Sequence, residues 1–177
     1  MFFDFKILDL PPIPNELVVD ITPGTIIRNR PGQEYTRNGV SNVSAPNPFY
    51  KISAELERWI QDNICKKYNE VGIRYTHGSS EYPASIVHPD ETSSCVLMYN
   101  LDHGGGWLNF WQQWGHGVVR DDRYVINNYE NVIRISQYET PNFCWYMVNT
   151  KILHSIENMK STRINIQVSL DSAHYVK

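Results

Sequence analysis

Hydrophobic and polar positions alternate most cleanly near the end of the chain. Ile164, Ile166, Val168 and Leu170 fall on one face of an extended segment, and Arg163, Asn165, Gln167 and Ser169 fall on the other. The pattern predicts a strand over Arg163–Leu170 whose polar face meets solvent or lines a wet pocket. Short alternating or aromatic runs precede it: Ile73–Thr76, Ala84–His88, Ser94–Asn100, Trp107–Trp111, Val118–Ile126, Val132–Tyr138 and Phe143–Asn149. Turn residues separate them, which is the signature of a β-sandwich or barrel. Upstream, Phe3 to Leu10 alternates weakly and stops at Pro11-Pro12, which predicts a strand and a rigid turn. Residues 22–48 are dense in proline and glycine and predict loop, around one short strand at Thr25–Arg28. One helix is expected, from about Tyr50 to Asn69. There Ile52, Leu56, Trp59, Ile60, Ile64 and Tyr68 form a stripe at spacings of three and four. Lys51, Glu55, Glu57, Asp62 and Lys66 occupy its other face, so it reads as an amphipathic helix packed outside a sheet.

Composition narrows the class. The chain has 177 residues, 41% hydrophobic and 20% charged, which is globular and of single-domain size. Aromatic residues make 12% of it and favour strands. Its 16 basic and 19 acidic residues give a net charge of −3. That balance argues against unspecific nucleic-acid binding and against a polybasic membrane binder. Cys65, Cys95 and Cys144 are an odd, widely spaced set with no zinc-type CxxC, so they read as thiols in a reducing compartment. The start, MFFDFKILDLPP, lacks the basic region and cleavage site of a secretory signal. No run approaches the length of a membrane span. A soluble, cytoplasmic protein is the expectation.

Candidate chemistry begins at His88-Pro89-Asp90. Residues two apart on an extended chain point the same way, so an imidazole and a carboxylate converge there. H-x-D alone is also an ordinary polar turn. His154 lies in VNTKILHSIENMKSTR, and Arg163 follows it at the head of the last strand. A second histidine from a distant strand would complete two histidines and one carboxylate on one face of a metal, the usual non-haem Fe(II) oxygenase arrangement. A guanidinium on the polar face of the last strand suits bidentate capture of a carboxylate.

The segment HPDETSSCVLMYNLDHGGGWLNFW resembles the first-ligand region of Fe(II)/2-oxoglutarate-dependent oxygenases. FCWYMVNTKILHSIENMKSTRINIQVSL resembles their second-ligand region. The likeness covers about Ile86–Leu170 and leans towards the prolyl hydroxylase and aspartyl/asparaginyl hydroxylase branches. It implies a double-stranded β-helix, or jelly roll, with N-terminal helix or helices beside it. Residues 1–70 would form a supporting region and residues 71–177 the core of a single oxygenase domain. It further implies that His88, Asp90 and His154 hold Fe(II), with 2-oxoglutarate and O2 as cosubstrates. Arg163 would pair with the distal carboxylate of 2-oxoglutarate. Tyr99 falls where prolyl hydroxylases place a tyrosine that bonds the same cosubstrate, and Asn165, which shares the polar face with Arg163, is a further candidate lining the cosubstrate site. Asp90 stands where halogenating relatives carry a small residue, so hydroxylation is expected.

The implied substrate is an amino-acid side chain in a protein or peptide. A free amino acid or other small metabolite is the alternative, and a non-catalytic jelly-roll module is a third. Trp107, Asn109 and Trp111 share one strand face, either as the substrate mouth or as buried packing. Residues 112–139, with Arg120-Asp121-Asp122-Arg123, match nothing in the family and read as a substrate loop or a solvated hairpin. His103-Gly104-Gly105-Gly106 resembles an esterase oxyanion turn, but no G-x-S-x-G nucleophile accompanies it. His77, His103, His116 and His174 read as ordinary surface or hydrogen-bonded histidines.

Overall fold

The computed structural model describes residues 3–18, 21, 23–90, 93–120 and 123–177. Thr22 of the expected 22–48 loop, Glu91-Thr92 of the HPDET motif and Asp121-Asp122 of the charged run lie outside the described residues.

The protein is mainly β and jelly-roll-like. In chain order the strands are β1 (Phe5–Ile7), β2 (Ile26–Arg28), β3 (Glu34–Arg37), β4 (Val40–Val43) and β5 (Phe49–Tyr50). The α-helix, α1 (Ala54–Asn63), follows, then β6 (Glu70–Thr76), β7 (Cys95–Asp102), β8 (Trp107–Gln113), β9 (Val118–Arg120) and β10 (Arg123–Val125). Last come β11 (Val132–Glu139), β12 (Trp145–Asn149), β13 (Leu153–Glu157) and β14 (Arg163–Leu170). The major sheet runs β1-β12-β7-β14-β6-β5-β2, antiparallel throughout. The minor sheet runs β11-β8-β13. Backbone bridges His88↔His154 and Val87↔Ile126 extend it towards the β9–β10 hairpin.

Side-chain alternation divides the interior into three layers. On the outer face of the major sheet, Leu97, Trp145, Ile166 and Val168 pack against Leu56, Ile60 and Ile64 from the α1 segment. Each of these aliphatic side chains contributes about 1.5–3 kcal/mol by leaving water. Between the sheets, Met98, Tyr146 and Val148 meet Leu108, Phe110 and Ile156. On the outer face of the minor sheet, Trp111, Val87, Ile126 and Tyr129 form a third cluster with Tyr35 of β3.

The helix is shorter than the stripe predicts. Phe49-Tyr50 is used by the sheet, and Ser53 caps the helix by accepting the Leu56 N–H at 3.2 Å. Beyond Asn63 the stripe persists without the helix, because Cys65 bridges Val176 in extended pairing. The expected 22–48 loop contains a hairpin, β3–β4, turned by Asn38 (φ 53°) and Gly39 (φ 73°). Asn-Gly supplies both positive φ values that a tight two-residue turn needs. The single strand expected over Val118–Ile126 is a hairpin. β13 interrupts a stretch for which no strand was expected.

Candidate metal centre

The antiparallel bridge between residues 88 and 154 assembles the site. The His88 N–H donates to the His154 carbonyl at 3.1 Å, and the His154 N–H returns the bond at 3.0 Å. Directly opposed residues of an antiparallel pair place their side chains together. The two imidazole centroids therefore sit 4.8 Å apart. Asp90 is fixed two residues on, where its N–H donates to the Thr150 carbonyl at 2.7 Å. Its Oδ1 lies 3.8 Å from His88 Nε2, and one ligand atom from each of His88, Asp90 and His154 falls within 4.8 Å of the others.

Both rings are oriented by the backbone. His88 Nδ1–H donates to the Ile86 carbonyl at 2.9 Å, and His154 Nδ1–H donates to the Ile152 carbonyl at 2.8 Å. Tying down Nδ1 leaves each neutral ring with its Nε2 lone pair for a metal, the usual second-layer arrangement of a ligating histidine. Burial alone raises the Asp90 carboxyl, but the charges that His154 and His88 carry when protonated, with those of Arg74 and Arg30, outweigh it and hold it below the ordinary carboxylate value. Two neutral imidazoles and an ionised carboxylate are the donor set that suits Fe(II). The residues present fit such an ion.

Facing this cluster, the inner side of the major sheet is unusually polar. His154 and Ile156 project inward from β13, while Arg163, Asn165 and Gln167 project inward from β14. Arg163 is 3% exposed. Its Nη2 donates to Tyr146 Oη at 2.6 Å and to Asn100 Oδ1 at 3.1 Å. Tyr146 in turn donates to Asn100 Oδ1 at 2.9 Å. Arg163 Nε is buried without a partner, and among the described residues no carboxylate pairs with this guanidinium. A buried cation with no anion costs several kcal/mol unless a ligand supplies the charge. A carboxylate-bearing cosubstrate fits that description. Asn165 is fully buried, and neither its Nδ2 nor its Oδ1 has a partner.

Thus His88, Asp90 and His154 are brought together, and Arg163 and Asn165 share the interior face opposite them. Tyr99 is a correction. It points to the other side of the sheet, against Trp145 (centroids 5.1 Å apart) in the layer under α1. The tyrosine beside Arg163 is Tyr146 of β12, which sequence reasoning passed over together with Asn100. Trp107, Asn109 and Trp111 face outward from the minor sheet, where Trp111 Nε1–H donates to Ser155 Oγ at 2.9 Å. Trp111 belongs to packing there, Asn109 is fully buried, and Trp107 is exposed. Residues 118–132 contribute Val125, Ile126, Tyr129 and Val132 to the same outer cluster. No described helix is long and apolar enough to cross a membrane.

Fold and site together define a jelly-roll-like protein with a two-histidine, one-carboxylate cluster between its sheets. No family model matches the chain, and no curated protein matches it in sequence. Among solved structures it is similar to a 2OG-Fe(II) oxygenase family oxidoreductase from Burkholderia pseudomallei. The identity is 10% and the TM-score 0.40, over 78% of this chain and 70% of that one. The Escherichia coli ribosomal oxygenase YcfD shares 11% identity at a TM-score of 0.38 over 82% of this chain, which spans 41% of the YcfD chain. A dTDP-4-dehydrorhamnose 3,5-epimerase from Elizabethkingia anophelis NUHP1 shares 9% at a TM-score of 0.32, over 98% of this chain and 79% of that one. At these levels the likenesses decide nothing about chemistry, and the site itself carries the functional reading.

Proposed function

We propose that this chain is an Fe(II)- and 2-oxoglutarate-dependent dioxygenase that hydroxylates an amino-acid-type substrate. One observation carries the reading: His88, Asp90 and His154 present their ligand atoms within 4.8 Å of one another, opposite a buried Arg163 that meets no carboxylate among the described residues. In this account His88 and His154 hold Fe(II) through Nε2 and Asp90 through its carboxylate. Bound there, the metal supplies the oxidative chemistry that couples O2 and 2-oxoglutarate to substrate hydroxylation.

The protein's own part is positional. The Ile86 and Ile152 carbonyls fix the tautomer and the plane of each imidazole. Arg163, steadied by Tyr146 and Asn100, neutralises the distal carboxylate of 2-oxoglutarate in a site shielded from water. Val96, Met98 and Phe110 keep that space apolar, which strengthens the charge pairing.

Anaerobic equilibrium dialysis and succinate release test the proposal together. Wild-type protein should bind one equivalent of Fe(II) without oxygen and, once O2 is admitted, release succinate only when both Fe(II) and 2-oxoglutarate are supplied. Asp90→Ala and His154→Ala should do neither. Stoichiometric iron binding by folded His154→Ala would refute the assignment.

A further inference from the structure

The interior face of the major sheet carries a second buried cation. Arg74, at the middle of β6, is 9% exposed and projects inward beside Arg163 and Asn165, because Val71 and Ile73 take the outward positions. Its Nε–H donates to Gln167 Oε1 at 2.9 Å, an Nη1 donates to the Asn47 carbonyl at 3.3 Å, and its guanidinium lies 4.9 Å from the centre of the Phe49 ring. These contacts fix the guanidinium plane before any ligand arrives, which lowers the ordering cost of binding. Directly opposite in register stands Asn165.

Asn165 is the stronger observation. It is fully buried, yet both its donor and its acceptor are unsatisfied. Leaving a buried amide donor or acceptor unpaired is costly, so a wholly buried side chain with two such groups marks a place where a ligand completes the bonding. The open valences are complementary in kind. Nδ2–H offers a bond to an anion, and Oδ1 awaits an N–H. A guanidinium beside them adds a positive charge for the same anion.

We propose that Arg74 and Asn165 form a carboxylate subsite distinct from the Arg163 position, and that it seats the substrate: an amino acid whose free carboxylate faces Arg74 and Asn165 Nδ2 and whose adjacent N–H meets Asn165 Oδ1. The inference rests on the dioxygenase reading above and gives that reading a substrate class. The carboxylate comes either from a free amino acid or from the C-terminus of a peptide.

The test uses the full chain loaded anaerobically with Fe(II) and 2-oxoglutarate, with two readouts. The first is the visible charge-transfer band of chelated 2-oxoglutarate. The second is ligand-observed saturation-transfer NMR, with the common L-amino acids, their C-terminal amides, and short peptides with free or amidated C-termini as probes. Wild-type protein should respond to free carboxylates and not to the amides. A response to free amino acids assigns a metabolite, and one confined to peptides with free ends assigns a chain terminus. Arg74→Gln and Asn165→Leu should weaken that response at least tenfold while keeping the band. Because Asn165 has no internal bond to lose, Asn165→Leu should melt no lower than wild type.

A clear fall in melting temperature for Asn165→Leu would make the residue structural and overturn the proposal. So would amides that bind as well as acids. Loss of the band in Arg74→Gln would assign Arg74 to the cosubstrate instead, which also overturns it. Absence of the band in wild type would remove the dioxygenase reading. The NMR comparison would then still decide the carboxylate subsite.

Discussion

Replacing Arg163 with methionine separates binding from folding. The substitution keeps an unbranched side chain of similar length and removes the charge. Two charge-assisted hydrogen bonds are lost, to Tyr146 Oη at 2.6 Å and Asn100 Oδ1 at 3.1 Å. Each is worth about 1.5–3 kcal/mol. Against that, the desolvation of a guanidinium only 3% exposed, several kcal/mol in effect, disappears. No orphan is left behind, since Tyr146 still donates to Asn100 at 2.9 Å. The terms nearly cancel, and Arg163→Met should unfold in urea within about 1.5 kcal/mol of wild type. Cosubstrate binding has no such offset. Removing the cation from a buried carboxylate pair costs about 2–5 kcal/mol, or at least roughly thirty-fold in Kd. Anaerobic calorimetry of 2-oxoglutarate binding to the Fe(II)-loaded protein measures it. A variant that loses more than about 4 kcal/mol of stability yet binds 2-oxoglutarate normally would refute the reasoning and make Arg163 a structural residue.

Three further outcomes follow from the packing. Glu157 is 2% exposed and pairs with Arg37 of the β3–β4 hairpin at 3.0 Å, so Arg37→Ala should cost about 2–4 kcal/mol in urea unfolding, discounted for the half-exposed arginine. Adding Glu157→Gln should recover part of that loss, and a single-variant cost below about 0.5 kcal/mol would contradict the pairing. Burial raises the Asp4 carboxyl, but bonds from Ser136 and Tyr138 outweigh it and hold it below the ordinary value of 3.8. Its contribution to stability is therefore fully present above that value and is lost as pH falls through the lower folded one; wild type and Asp4→Asn should converge in stability on acidification, and parallel curves would contradict this. Burial pushes the Cys65 and Cys95 thiols up to about 11, so neither should react with iodoacetamide at mildly alkaline pH until urea unfolds the chain.

Much of this site is written locally in the chain. The H-x-D spacing and the alternation of β14 place Asp90 beside His88 and Arg163 beside Asn165 without any long-range knowledge. Tyr99 failed for a definite reason. Residues 95–100 of β7 are all buried, because the sheet is covered on both faces, so their sequence carries no mark of which face each residue takes. Only pairing with β12 and β14 sets the parity that turns Tyr99 outward and Tyr146 inward. β13 was illegible because its outward residues, Ser155 and Glu157, are polar yet buried beneath the third layer, which erases the usual alternation. The β3–β4 hairpin did carry a signal, the Asn38-Gly39 pair, which the surrounding prolines and glycines obscured.

The central claim is that His88, Asp90 and His154 hold an iron to which 2-oxoglutarate binds. An anaerobic titration of the protein with Fe(II) and then 2-oxoglutarate, followed by visible absorption, tests it most directly. The account predicts a weak metal-to-ligand charge-transfer band that saturates at one equivalent of each, and no band in folded His154→Ala. Folded wild-type protein without the band, or His154→Ala with it, would contradict the account.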